Sequence, residues 1–235
     1  MNEKLAKYIK TLARPYVDKH FGQIRNRRFS YAQEGEDLVV DRLLEGKKNG
    51  FYVEVGCHHP FRFSNTYMFY KKGWRGICID PLPGTKELFY ATRPRDSVIE
   101  VGVGEQGGTL IYYMFNEPAL NTFDSVVANS RDGIKGFKIV KQQLIEVRRL
   151  DEILTSIPNI PTIDIMSVDV EGFDLQALKS NDWKKFRPKI VIAECLALDL
   201  LSVQSDPINS LLTTLGYVAY AKTGHSIIFK SDENV

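Results

Sequence analysis

Glu54, Asp80, Asp169 and Glu194 each stand at or beside the end of a short apolar, β-branched run in a chain of 235 residues. An acid in that position can meet a positive group or a hydroxyl held just beyond a strand's C-terminal end. Any one of them could be a solvated turn, but the recurrence argues for a shared rim. Gly56 lies two residues after Glu54 and lets main chain approach closely. Asp80 falls 26 residues after Glu54, and in nucleotide-binding α/β folds an acid ending the second strand holds ribose hydroxyls. Gly56 is followed by Cys57, His58, His59 and Pro60 rather than by further glycines, so the loop offers no cradle for a pyrophosphate. An acid-first loop with one glycine and two imidazoles suits a cofactor without phosphate, carrying a sulfonium and an amino-acid tail, such as S-adenosyl-L-methionine.

A group that removes a proton at neutral pH is best a histidine or a carboxylate with a raised pKa. His58 and His59, beside the loop, are the first candidates, with a loop-shaping hydrogen bond as the structural alternative for each. Asp169 is the next, as base or as the partner that orients one. Asp169, Glu171 and Glu194 are also hard oxygen ligands that suit a divalent cation such as Mg.

These residues need a sheet to align them. Residues 51–55, 75–80, 97–103, 162–169 and 188–194 read as strands, separated by helical stretches over 67–70, 83–92, 150–156 and 170–178. Residues 109–115 alternate as an additional strand, 143–148 as another, and 116–138 as a polar segment long enough to serve as a lid. Ser30 followed by acids resembles a helix start before 38–44, and the small polar residues Ser64, Asn65 and Thr66 resemble another. Residues 217–221 and 226–230 flank a glycine-containing turn, so they must pair antiparallel. The expected fold is therefore α/β, a Rossmann-like, mostly parallel sheet closed by an antiparallel last strand.

The chain carries a net charge of +2, with 43% hydrophobic and 26% charged residues, as in an ordinary globular domain. Residues 1–28 hold eight Lys/Arg against Glu3 and Asp18, an excess of +6 that leaves the rest at −4. We expect a basic, helical N-terminal arm over 1–29, suited to docking, to homodimerisation or to peripheral contact with an anionic membrane, and one domain over 30–235. The acidic body argues against nucleic acid as a partner. Cys57, Cys78 and Cys195 show no metal-ligand spacing and read as reduced thiols. With no long apolar run, the expected location is cytoplasmic, with a membrane's inner face as a peripheral alternative.

Taken together, Ser30 to Leu38 (SYAQEGEDL), Tyr52 to Gly56 (YVEVG), Ser64-Asn65-Thr66, Ile79-Asp80-Pro81 and Ser167 to Gly172 (SVDVEG) resemble the FkbM-type family of S-adenosylmethionine-dependent methyltransferases. The resemblance covers about residues 30–230. It implies a class I methyltransferase fold with a seven-stranded sheet, and methyl transfer to a hydroxyl oxygen of a sugar, glycolipid or natural product. It places Glu54 and Gly56 at the methionine portion, Asp80 at the ribose and Val103 beside adenine. Gln33, Glu36 and Asn65 fall at family positions near the same crevice, and Glu171, Glu194 and His225 are the candidates on the acceptor side. A nicotinamide oxidoreductase or a non-catalytic binding module are the competing classes.

Overall fold

The computed structural model describes residues 11–12, 27–196 and 199–232; most of the expected basic arm lies outside them. The strands are β1 Phe51–Val55, β2 Arg75–Ile79, β3 Ser97–Ile99, β4 Gly102–Val103, β5 Gly108–Phe115, β6 Ile139–Arg148, β7 Ile165–Val168, β8 Ile190–Glu194, β9 Tyr217–Lys222 and β10 Ser226–Ser231. Seven of them form one sheet in the order β3-β2-β1-β7-β8-β10-β9. β1 pairs in parallel with β2 and β7, β7 with β8, and β2 with β3, whereas β10 runs antiparallel to both β8 and β9. This is the Rossmann-like sheet with an antiparallel closing strand that the sequence led us to expect. All four acid-ended runs therefore finish on one edge.

Helices cover both faces, because the inner strands are apolar on both sides and must be buried twice. On one face Val53, Ile77, Met166 and Val191 pack with Leu150 and Ile153 of α5 and Leu178 of α6. On the other, Tyr52, Cys78, Ile165 and Ile192 pack with Val40 of α1, Phe69 of α2 and Phe89 of α3. These helices are α1 Glu36–Leu43, α2 Tyr67–Lys71, α3 Thr85–Thr92, α4 Ser125–Arg131, α5 Leu150–Thr155 and α6 Asp174–Lys179.

The expected third strand over 97–103 is instead two. β3 belongs to the main sheet, and β4 joins β6 and β5 in a small second sheet. Gly102 permits the change of partner: a Cβ there would come within 2.7 Å of the Phe123 ring and 2.9 Å of Val147. The strand expected over 143–148 is longer and runs from Ile139. Between β5 and β6, the expected lid segment folds into a short 3-10 turn, Pro118–Leu120, and α4. The helix expected to start near Ser30 begins at Glu36, with Gly35 left-handed at its N-cap. Ser30 Oγ and the Tyr31 amide donate to Asp37 instead.

Beneath the loop after β1 lies a fully buried arginine. Arg93 donates through Nε to Asp96 at 2.7 Å and stands 3.5 Å from the Glu54 carboxylate. It also donates to the Pro60 carbonyl, Ser64 Oγ, the Tyr52 hydroxyl and Thr66 Oγ1. Burial opposes its charge, but Cys78, Glu54, Tyr52 and Asp96 outweigh that and hold its pKa above the ordinary value. Removing one partner of such a group strands the others in a low-dielectric interior. Arg93→Met should therefore lower stability by about 3–5 kcal/mol, and adding Glu54→Gln should recover part of the loss; denaturant titration of the three variants checks both.

Candidate active site

The C-terminal edge of the sheet encloses a cavity of about 710 Å³, its open mouth included. Gln33, Gly56, His58, Asp80, Val103, Asp169 and Glu171 line it among the residues singled out from sequence. Phe63, Tyr112, Pro118, Ala119, Asn121 and Phe123 complete the wall. Tyr112 and Phe123 are aromatic residues at the expected lid segment that suit a carbohydrate or lipid-linked acceptor, with core packing an equal explanation for either; the other four carry no signal of a site role in the sequence.

Gly56 sets the cavity's width. It sits at φ 78, and a Cβ there would lie 1.7 Å from the Asp169 carbonyl oxygen. The close approach expected of this glycine is thus to the chain's own backbone, where the exits of β1 and β7 meet. Only a residue without a side chain fits.

Asp80 follows β2 and is 5% exposed. Its two oxygens accept from the His58 amide at 2.7 Å and the Leu82 amide at 2.9 Å. A carboxylate has about four acceptor sites, so two remain for hydroxyls in the cavity. Burial pushes its pKa up to about 6, against the lowering effect of the two amides.

Glu54, expected beside the methionine portion, does not border the cavity. Strand alternation turns its side chain to the opposite face of β1 from Val53 and Val55. There Ser64 Oγ and Thr66 Oγ1 donate to it at 3.2 and 2.6 Å, beside Arg93. Asn65 likewise faces inward, donating to Ser167 Oγ at 2.9 Å. Both brace the loop from below. Ser64 also caps α2, accepting from the Tyr67 amide at 3.1 Å.

The two histidines part company. His59 Nδ1 accepts from the Phe61 and Arg62 amides at 3.3 and 3.2 Å, away from the cavity wall, so its role is to shape the loop. His58 lines the cavity, adopts φ 45, and its Nε2 is buried without a partner. Burial, then Arg62 and His59, lower its pKa to about 4. It is a neutral imidazole at pH 7 and a weak base, but its orphaned nitrogen is free for a ligand.

Asp169, Asp174 and Glu194 converge between the ends of β7 and β8, each offering an oxygen within 4.8 Å of the others'. The metal set expected from sequence contained Glu171 in place of Asp174. Glu171 is instead committed to Arg131 of α4 at 2.6 Å. Asp174, buried at the start of α6, accepts from the Val170 and Gly172 amides, and its offset of five residues from Asp169 gave no signal against a plain helix start. Glu194 belongs to this cluster and does not line the cavity. Burial raises all three carboxyls: Asp169 well above its ordinary value with Glu194, Glu171 and Glu36 adding to it, Asp174 to about 7 with Asp169 adding, and Glu194 to about 9 with Asp174 adding.

Glu36 and His225 lie beside the cavity rather than in its wall. Glu36 accepts from the Glu34 amide and from Thr223 Oγ1, and His225 is bonded to Glu34. Among the described residues no helix is long and apolar enough to cross a membrane.

A carboxyl whose folded pKa is raised stabilises the fold below its unfolded pKa and loses that contribution as pH rises through the folded value. For Asp174 and Glu194 this window runs from about pH 4 to about pH 9. The wild type should therefore lose stability from pH 6 to 9, and Glu194→Gln should flatten that slope; melting curves across the range report it, and parallel slopes would exclude the shared-proton cluster.

A family model described as Methyltransferase FkbM domain matches residues 54–219. No curated protein matches. Among solved structures, a putative precorrin-6Y C5,15-methyltransferase targeted domain from Corynebacterium diphtheriae aligns at a TM-score of 0.41 and 10% identity, covering 83% of this chain and 95% of that one.

Proposed function

Because the chain belongs to the FkbM methyltransferase domain family, we propose that it methylates a hydroxyl oxygen of a sugar, as found in a surface polysaccharide or glycolipid precursor, with S-adenosyl-L-methionine as donor. The observation that carries this reading is the cavity in which Gly56, His58, Asp80 and Asp169 meet from the ends of β1, β2 and β7. The spare acceptor sites on Asp80 and the unpartnered Nε2 of His58 are polar atoms that a nucleoside ligand would satisfy. When bound, the donor supplies a methyl carbon made electrophilic by its sulfonium.

The protein's own work is then to hold, exclude water and take a proton. Asp80 would receive the ribose hydroxyls, and Val103, Tyr112 and Phe123 an adenine. The Tyr112 and Phe123 rings, 4.7 Å apart, form one apolar wall. Aligning an alcohol with the methyl carbon removes much of the entropic barrier, and general-base help adds about 10²–10⁴-fold. In its ionised form Asp169 is the residue best placed to take the hydroxyl proton at its carboxylate: it lines the cavity, and burial together with its acidic neighbours raises its pKa. Asp174, pushed up to about 7, would share that proton, while Glu194, at about 9, stays protonated beside it. A polyhydroxyl acceptor suits a rim of carboxylates such as Asp169 and Glu171 beside the exposed ring of Phe63. The same three carboxylates, Asp169, Asp174 and Glu194, would hold a divalent cation if one takes part.

Calorimetry against S-adenosylhomocysteine and NAD should show binding of the first only. Asp80→Asn should weaken it by about 10-fold or more, the value of a lost charge-assisted hydrogen bond, and wild-type affinity should fall below about pH 6 as Asp80 protonates. Asp169→Asn should bind the same ligand yet lose about 10²-fold or more in methyl transfer to sugar acceptors. NAD binding, or full activity in Asp169→Asn, would overturn the assignment.

A further inference from the structure

Residues 30–36 run across the open edge between two anchors that are remote in sequence. At one end the Tyr31 carbonyl accepts from the Ser64 amide at 3.0 Å, Lys71 donates to the Tyr31 hydroxyl at 2.8 Å, and the Tyr31 and Tyr67 rings meet edge-on at 4.7 Å. This end is tied to the loop after β1. At the other end, Glu34 Oε2 accepts from the His225 amide at 2.8 Å, and Glu34 Oε1 lies 2.6 Å from His225 Nδ1. Glu36 Oε1 accepts from Thr223 Oγ1 at 2.7 Å. These contacts bind the segment to the β9–β10 turn. In the sheet order β7 and β8 lie between the two anchors, so the segment spans the edge where Asp169 and Glu194 end their strands. Gly224 makes room for it, since a Cβ there would come within 2.3 Å of the Glu34 carboxylate.

Between the anchors is Gln33, which lines the cavity and makes no hydrogen bond to the described residues. A carboxamide carries donors and an acceptor, a match for an ammonium and carboxylate on one carbon. Because the strap crosses the ends of β7 and β8, Gln33 faces the part of the cavity where Asp169 stands. On these contacts, and resting on the donor assignment above, we propose that residues 30–36 are a strap that closes over the amino-acid end of the donor, with Gln33 as a binding residue and Glu34 and Glu36 as positioning residues that hold it there.

The apparent dissociation constant is the intrinsic one divided by the fraction of molecules in which the binding residue is already ordered, so a latch that raises this fraction lowers it. Glu34→Ala and Thr223→Val should each raise the dissociation constant for S-adenosylhomocysteine and the KM for the donor by about 10-fold, with kcat and melting temperature nearly unchanged. Gln33→Ala should raise the dissociation constant for S-adenosylhomocysteine by a similar factor, and Glu34→Gln, which keeps an acceptor for the His225 amide, should restore most of the affinity. Hydrogen exchange over residues 29–37 should slow when S-adenosylhomocysteine binds the wild type, and should not slow in Glu34→Ala. If the wild type binds the ligand but the variants bind equally tightly and exchange over 29–37 ignores it, the strap has no such role. If the wild type itself does not bind, the donor assignment falls and takes the strap's function with it.

Discussion

The arrangement rests on one close passage of backbone. Where β1 and β7 end side by side, Gly56 turns directly over the Asp169 carbonyl, with no space for a side chain between them. That contact fixes the distance between the loop carrying His58 and the strand end carrying Asp169. A bulkier residue would push the loop outward and open the cavity floor. Parallel pairing then carries the register sideways, to Asp80 through β2 and to Glu194 through β8.

The loop needs support from below as well as room to turn. Arg93 supplies it, gathering Glu54, Asp96, Ser64, Thr66 and the Pro60 carbonyl into one buried network. Buried charges on this scale persist only when their hydrogen bonds are satisfied. Glu54 is thus a foundation for the site, and the surface presented to a ligand is made by the loop that it anchors. On the far wall, Arg62 pairs in a two-pronged fashion with Glu117, and Arg131 with Glu171. These pairs tie residues 116–138 to two rim loops, so the segment roofs the cavity.

The fold was largely legible because short apolar runs with helices between them leave few topologies. The antiparallel end followed from the short turn before Ser226. The cavity wall was legible where it falls at a strand's end, as at Gly56, Asp80 and Asp169. It was not legible where the decisive fact was the direction of a side chain or a partner far along the chain. Nothing in the sequence told His58 from His59, and nothing put Asp174 rather than Glu171 beside Glu194. The pairing of Glu34 with His225 spans 191 residues, and local pattern carries no trace of it. The division of residues 97–103 between two sheets was equally hidden, because Gly102 reads as an ordinary interruption until Phe123 is seen against it.

The central claim is that the cavity at the ends of β1, β2 and β7 is an adenosyl-donor site. A crystal structure of the protein soaked with S-adenosylhomocysteine tests it most directly. The account predicts the ribose hydroxyls within hydrogen-bonding distance of the Asp80 carboxylate and the sulfur on the Asp169 side of Gly56. A ligand seated elsewhere, or a ribose turned away from Asp80, would contradict it.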